Sequence, residues 1–429
     1  MIQLMRTTTT FSVSEFSQIK LQMLNWSDQF NICCFLDDHQ YGLEPHTYEC
    51  LLAAGVIHSL EASAGDAYTK LKEFATQHQD WMFGHFGYEL KNETEKLSSS
   101  HPDHIKFPDL FFFVPQTVLQ LQGDRLLIST TGDAASIFEE IIHTNAVRQG
   151  AQHSVNIQSR FNKDEYIDVV NKLRQHILRG DCYEINFCQE FYSLNAEIDP
   201  LDVFIKLTEV SPNPFTAFYK IHHQYLLCAS PERYLKKTGN NIVSQPVKGT
   251  WQRDHSNAEK DELKKQELYN SAKDRSENVM IVDLVRNDLS RICEENSVQV
   301  DELFGIYSFP QVHQMISTVS GKLRPELHWS DAIKATFPMG SMTGAPKKRV
   351  MELIEQYERS RRGIFSGAVG YVRPDGDFDF NVVIRSILYN SVSKYLSYQV
   401  GSGITFYSDA ENEHEECLLK ATAIKKVLA

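Results

Sequence analysis

The chain has no surplus of positive charge. Among 429 residues, 43 Lys and Arg stand against 56 Asp and Glu, a formal charge of −13. A polyphosphate backbone needs a basic face, so a nucleic-acid partner is excluded. An anionic small molecule is not, but local basic groups must then oppose the global field. Cysteine is sparse and unpatterned: eight residues, none in a CxxC pair or zinc-like spacing, with Cys33 and Cys34 adjacent. That argues for buried thiols in a reducing compartment and against a disulfide framework. No apolar run approaches the roughly 18 residues of a membrane span. MIQLMRTTTTFSVSEF lacks the apolar core of a signal peptide. A cytoplasmic protein with no membrane partner is expected. Internal repeats and low-complexity segments are also missing. GSMTGAPKK (340–348) has the wrong spacing for a phosphate-binding loop, and no Lys-Ser/Thr follows it.

What is present supports a sizeable core, with 42% hydrophobic residues. The polar stretch HTNAVRQGAQHSVNIQSR (143–160) reads as a linker. It divides the chain into an N-terminal region, 1–150, and a larger catalytic region, 151–429, expected to merge into one unit. Residues 13–30 read as a helix, and NICCFL and DLFFFVPQTVLQLQ read as strands. KDEYIDVVNKLRQHILRGD reads as a helix stopped by Gly180. QYLLCAS, ERYLKK and NIVSQPV read as strands. EKDELKKQELYNSAKDRSENVMIVDLVRNDLSRIC reads as one long helix or two end to end. SGAVGYVRPDGDFDFNVVIRSILYN reads as a hairpin about Pro374-Asp375-Gly376, and AENEHEECLLKATAIKKVLA as helical. Strands come as hairpins rather than strand–helix–strand units, so the class is α+β with antiparallel sheets.

Three groups of residues could carry chemistry. SQPVKGTW puts Lys248 between a Pro-Val and a Gly-Thr step. A hairpin folded about Asn240 would set Glu232 opposite Lys248. The ordinary reading is a cross-strand ion pair; the functional one is a sheltered nucleophilic amine beside a proton donor. Asp274 and Glu277 are three apart, as are Glu413 and Glu416, so each pair shares a helix face. Each pair alone reads as solvated surface or as helix-start acids. Together they could clamp one Mg²⁺. Gly401-Ser402-Gly403, read as a loop after the strand YLSYQV, could cradle an anion. Arg385, read as part of the strand DFDFNVVIR, offers a fixed fork donor.

GDCYEINF, SPERY, PVKGT, SAKDRSENVMIVDLVRNDLSR, FPMGSMTGAPKKRVMELI, GAVGYV and GSGITFYSDAENEHEE occur in an order and spacing that resembles the chorismate-utilising enzymes. The likeness covers Phe161 to the C-terminus, with a looser match at FGHFGYELK. The resemblance implies a large α/β sandwich, with antiparallel sheets packed face to face and helices outside. It also implies a role for each candidate. Lys248 stands where the branch aminating chorismate at C4 has its covalent lysine and the anthranilate-forming branch has alanine. Branches that add water place a lysine base where this chain has Glu184. The implied reaction is Mg²⁺-dependent amination of chorismate with ammonia to 4-amino-4-deoxychorismate, toward 4-aminobenzoate and folate. Lys248 would attack C2 and Glu232 would protonate the leaving hydroxyl. Glu277 and Glu416 would hold Mg²⁺, supported by Asp274 and Glu413. Gly249 and Thr250 would hold the ring carboxylate, and Tyr371, Arg385, Gly401 and Gly403 the enolpyruvyl carboxylate; Ser341 completes the substrate set. A separate glutamine amidotransferase subunit would supply ammonia, since the chain carries no glutaminase segment. Two positions depart from the pattern. Gln314 takes the place of a histidine, with His313 one residue earlier, and Glu184 replaces a common glutamine. The rival readings are anthranilate formation and a chorismate-binding subunit without catalysis.

Overall fold

The computed structural model describes residues 6–41, 48–148 and 153–429. Its frame is two antiparallel sheets, one of twelve strands and one of ten. Apolar faces of both sheets share one core, in which Cys34, Ala53 and Tyr219 of the first meet Phe83, Phe111 and Val369 of the second. The opposite face of the first sheet buries a second core against helices, including Met23, Val170, Phe204 and Ile424. This is the α+β class that hairpin patterning called for, in the sandwich with outer helices that the resemblance implied. No helix among the described residues is long and apolar enough to cross a membrane. All eight cysteines are buried and unpaired.

Both sheets draw strands from either side of the linker. Ile32–Asp37 pairs with Phe215–Ile221, and Met82–Phe86 pairs with Ala368–Val372. The boundary at 150/151 lies outside the described residues, as does the middle of the linker.

The expected helix over 13–30 is Phe16–Trp26 followed by a single 3₁₀ turn. DLFFFVPQTVLQLQ is not one element. Leu110–Val114 belongs to the ten-stranded sheet and Thr117–Gln122 to the twelve-stranded one, and the chain changes sheet at Pro115, which cannot donate to a ladder. The long charged segment forms two helices, Ala258–Asn270 and Ala272–Ser290. Ser271 breaks them with extended backbone, and its hydroxyl accepts the Asp274 N–H as an N-cap. The C-terminal helix also divides, into Ala410–Lys420 and Thr422–Leu428.

One crossing between the sheets and one close strand approach shape the site. Strand Phe378–Val382 pairs within the ten-stranded sheet, and Ser386–Asn390 within the twelve-stranded one. Arg385 therefore lies in the bend between the sheets, with φ of 53°, and not in a strand. Gly401-Ser402-Gly403 is the converse case. It lies inside the strand Tyr395–Ile404, with Gly403 opposite Asn186 and Gly401 opposite Cys188. A Cβ on Gly401 would fall 2.2 Å from the Phe187 carbonyl oxygen, so the strands approach too closely for a side chain.

Candidate active site

Lys248 lies in the strand Val247–Gln252, at one end of the ten-stranded sheet. This strand pairs with Val312–Lys322, but the register shifts between Val247 and Thr250. Gly249 sits in the shift with φ of +83°, a conformation glycine adopts without strain. A Cβ there would also stand 2.9 Å from Asp274 Oδ1. The Lys-Gly order in PVKGT is thus a local necessity, because the bulge re-aims the lysine toward the other sheet.

There it meets Glu184 rather than Glu232. Nζ of Lys248 donates to Oε1 of Glu184 at 2.5 Å. The lysine is 9% exposed and the glutamate 1%. The expected cross-strand pair with Glu232 does not form. The hairpin closes as Thr238 opposite Asn241, one residue away from a fold about Asn240, and its pairing ends at Gln245 before Pro246. A one-residue slip changes which faces match. Glu232 instead precedes the strand Arg233–Thr238 and is buried close enough to Lys248 to feel its charge. Burial pushes its carboxyl up to about 7, against the opposing pull of the Ser341 hydroxyl, Lys248 and the Val247 N–H. The buried Ser341 hydroxyl approaches Glu232 without closing a hydrogen bond.

The acids arrive on two helices, one packed on each sheet. Ala272–Ser290 lies on Val247–Gln252 and Val312–Lys322; Ala410–Lys420 lies on Tyr395–Ile404. The helices bring Glu277, Glu413 and Glu416 around the ammonium of Lys273, at 3.9, 3.3 and 4.0 Å. Burial raises the Glu277 carboxyl to about 7, with Glu184 and Glu416 adding to the rise and Lys248 and Lys273 opposing it. Glu416, paired with Lys420 at 2.7 Å, is held down at about 2. Asp274 does not join the other three; it packs against Gly249. Among the described residues no three side chains converge closely enough to ligate a metal ion. Yet Glu277 Oε1 and Glu413 Oε2 are buried without a hydrogen-bond partner, as is Glu184 Oε2. Such oxygens are costly to leave unsatisfied. As hard oxygen donors without a hydrogen-bond partner, they suit a small dication.

Burial by itself would drive the ammonium of Lys248 to lose its proton. Glu184, Glu277 and Glu232 outweigh burial and hold it above the ordinary lysine range. The resting amine is therefore charged. Arg385 makes no hydrogen bond or ion pair through its side chain to any described residue, and burial lowers its pKa against the pull of Glu416. It is a fork donor without an acceptor.

Gly403 sits against the ion pair. A Cβ would lie 2.8 Å from Glu184 Oε1 and 2.9 Å from Lys248 Nζ. The residue leaves room for the pair, and the anion-cradling loop expected of it is a strand. Tyr371 lies elsewhere. Its ring packs with Tyr48, Trp81 and Phe83, and it lines a separate cavity with Asp37, Arg233 and Asp379, none of it shared with Lys248. Strand alternation turns it toward this inter-sheet pocket. Adjacent residues divide likewise in Val312–Lys322. Gln314 pairs with Thr250, whereas His313 bonds Asp261 at 3.0 Å and Ser308 at 2.9 Å. Sequence reasoning missed Lys273. Its signal was available, an i,i+4 spacing to Glu277 on an acidic helix face.

Residues 36–426 match the family described as chorismate binding enzyme. The chain is 32% identical over 358 residues to aminodeoxychorismate synthase component 1 of Escherichia coli, covering 82% of this chain and 77% of that protein. It is 30% identical over 383 residues to the Bacillus subtilis protein of the same name, covering 84% and 81%. The crystal structure of anthranilate synthase component I from Streptococcus pneumoniae superposes with a TM-score of 0.78 at 25% identity, over 90% of this chain and 94% of that one.

Proposed function

The chain belongs to the chorismate binding enzyme family, and we propose that it aminates chorismate at C4, giving 4-amino-4-deoxychorismate and water on the route to 4-aminobenzoate and folate. One observation carries the reading. A buried lysine amine is set among Glu184, Glu232 and Glu277, in a chain similar over most of its length to proteins named aminodeoxychorismate synthase component 1.

Lys248 attacks C2 of the substrate as the C4 hydroxyl leaves. Glu232, half protonated near neutrality because burial lifts it to about 7, gives that hydroxyl its proton, so water departs. Ammonia then adds at C4 and expels the amine, and the surplus proton on the new C4 nitrogen returns to Glu232. Splitting one displacement into two lowers each barrier. Arg385 takes the enolpyruvyl carboxylate, since its guanidinium has no acceptor among the described residues. Thr250 and Gly249 border the ring carboxylate. Glu277, Glu413 and Glu416 would hold Mg²⁺, which would supply positive charge for that carboxylate. Asp274 stands behind Gly249 and supports the bulge. The words "component 1" in the relatives' names point to a second component, which we assign as a glutamine amidotransferase delivering ammonia.

Incubation with chorismate, Mg²⁺ and an ammonium salt tests the reading by mass and absorbance of the products, with and without a 4-aminobenzoate-releasing lyase. The expected product is 4-amino-4-deoxychorismate. The likeness to an anthranilate synthase component makes anthranilate the competing product, and its formation would overturn the assignment.

A further inference from the structure

The reaction proposed for Lys248 needs a neutral amine, and the pocket holds it as an ammonium. The proton must go somewhere. Three carboxylates influence the lysine: Glu184 from strand Glu184–Ser193, Glu232 ahead of strand Arg233–Thr238, and Glu277 from helix Ala272–Ser290. Only Glu184 lies within 4.0 Å of Nζ. Its contact is a direct hydrogen bond, from an ammonium that donates to nothing else among the described residues. The other oxygen of Glu184 is buried with no partner. Gly403 adds no Cβ that would wedge the two groups apart. The pair is also largely buried, which slows exchange of the lysine proton with solvent and makes charge separation expensive.

Resting on the reading of Lys248 as nucleophile, we propose that Glu184 is its internal proton acceptor: one proton crosses the 2.5 Å contact from Nζ to Oε1, freeing the amine without release to solvent. The ion pair becomes a neutral amine and a neutral acid. A low-dielectric pocket closed over substrate favours that neutral form. The amine lone pair then forms the bond to C2, the ring double bond shifts, and the C4–O bond breaks with the proton of Glu232. When ammonia expels the amine, Glu184 returns its proton to Lys248. Each group ends as it began, and chorismate plus ammonia balances against product plus water.

Because the proton never leaves the site, the wild-type rate should show no acid limb belonging to Lys248. The Glu184→Gln variant must lose that proton to solvent. Its kcat should fall about 100-fold near pH 7, rise with unit slope as pH increases, and approach wild type well into the alkaline range. KM for chorismate should change little. A structural loss would not recover with pH. In the wild type preloaded with Mg²⁺, forming the Lys248–chorismate adduct without ammonia should release no proton into weakly buffered indicator, relative to chorismate binding by Lys248→Ala. That measurement needs no folded Glu184 variant. A wild-type kcat and pH profile in Glu184→Gln, or one proton released per adduct, would overturn the proposal. If Lys248→Ala keeps the wild-type kcat, the nucleophile reading itself fails, whatever Glu184 does.

Discussion

Lys248 and Arg362 are two buried cations that lean on the same strand, Glu184–Ser193, two residues apart. Arg362 is saturated. It forms a bidentate pair with Glu358 at 2.9 and 2.6 Å and donates to the carbonyls of Met342 and Asn186. Glu358 in turn accepts the Cys188 N–H. Among the described residues Lys248 has one bond, to Glu184, and stands among carboxylates with unspent acceptors: Glu184 Oε2, Glu277 Oε1 and Glu413 Oε2. A buried charge is therefore no sign of chemistry by itself. A closed network such as that of Arg362 fixes the fold. An open one, with more anion than its cations can satisfy, is stabilised only when something else arrives.

The sharpest way to break this comparison is to remove each cation in turn. Lys248→Ala should reduce C4 amination by at least about 10,000-fold, or about 5 kcal/mol in the barrier, while chorismate binding measured by calorimetry persists through Arg385. Its unfolding midpoint should fall by less than that of Arg362→Ala, because one hydrogen bond is lost rather than a closed network. A rate near wild type would make Lys248 a second Arg362.

Arg362→Ala should have the opposite profile. It leaves Glu358 buried and unpaired and frees two carbonyls, so stability should drop by about 3 kcal/mol. Urea denaturation measures this. Protein that still folds at low temperature should retain its pH–rate profile.

The smallest and most discriminating effect belongs to Glu277. Its folded pKa, about 7, lies above the ordinary carboxylate value of 4.5. Such a group contributes its stability fully below about pH 4.5, and that stability is lost as pH rises through 7. Glu277→Gln removes the desolvated charge. Above pH 7 it should stabilise the fold by about 1–3 kcal/mol, seen as a higher Tm, and the gain should vanish near pH 4.5. The same variant should lose amination and its response to Mg²⁺. A destabilised Glu277→Gln would place that carboxylate with the saturated network instead.

Much of this was legible in residue order. Hairpin patterning gave the antiparallel α+β class, Gly180 stopped its helix, and the spacings 274/277 and 413/416 put acids on two helices. Short-range rules suffice there because helix and strand periods are local. The same rules singled out Lys248, Glu232, Glu277, Glu413 and Glu416 as candidates, and the family resemblance supplied their roles. They failed where a choice depended on residues distant in the sequence. Whether Gly401-Ser402-Gly403 is loop or strand depends on the partner strand, as does the face that Tyr371 presents.

The partner of Lys248 shows the division most plainly. Sequence determined that Lys248 is followed by a glycine, the residue that takes the left-handed backbone found at the bulge without strain. It also determined the excess of acid. It could not determine which acid the ammonium would meet, because Glu184 is 64 residues away and on the opposite sheet. Hydrophobic packing between the sheets sets that distance, and hydrophobic packing carries no information about charge pairing. The register of the Thr238–Asn241 turn then excluded Glu232 from the contact. The tertiary structure alone joined Lys248 to Glu184, because two sheets buried for their apolar faces happen to close their polar edges on one another.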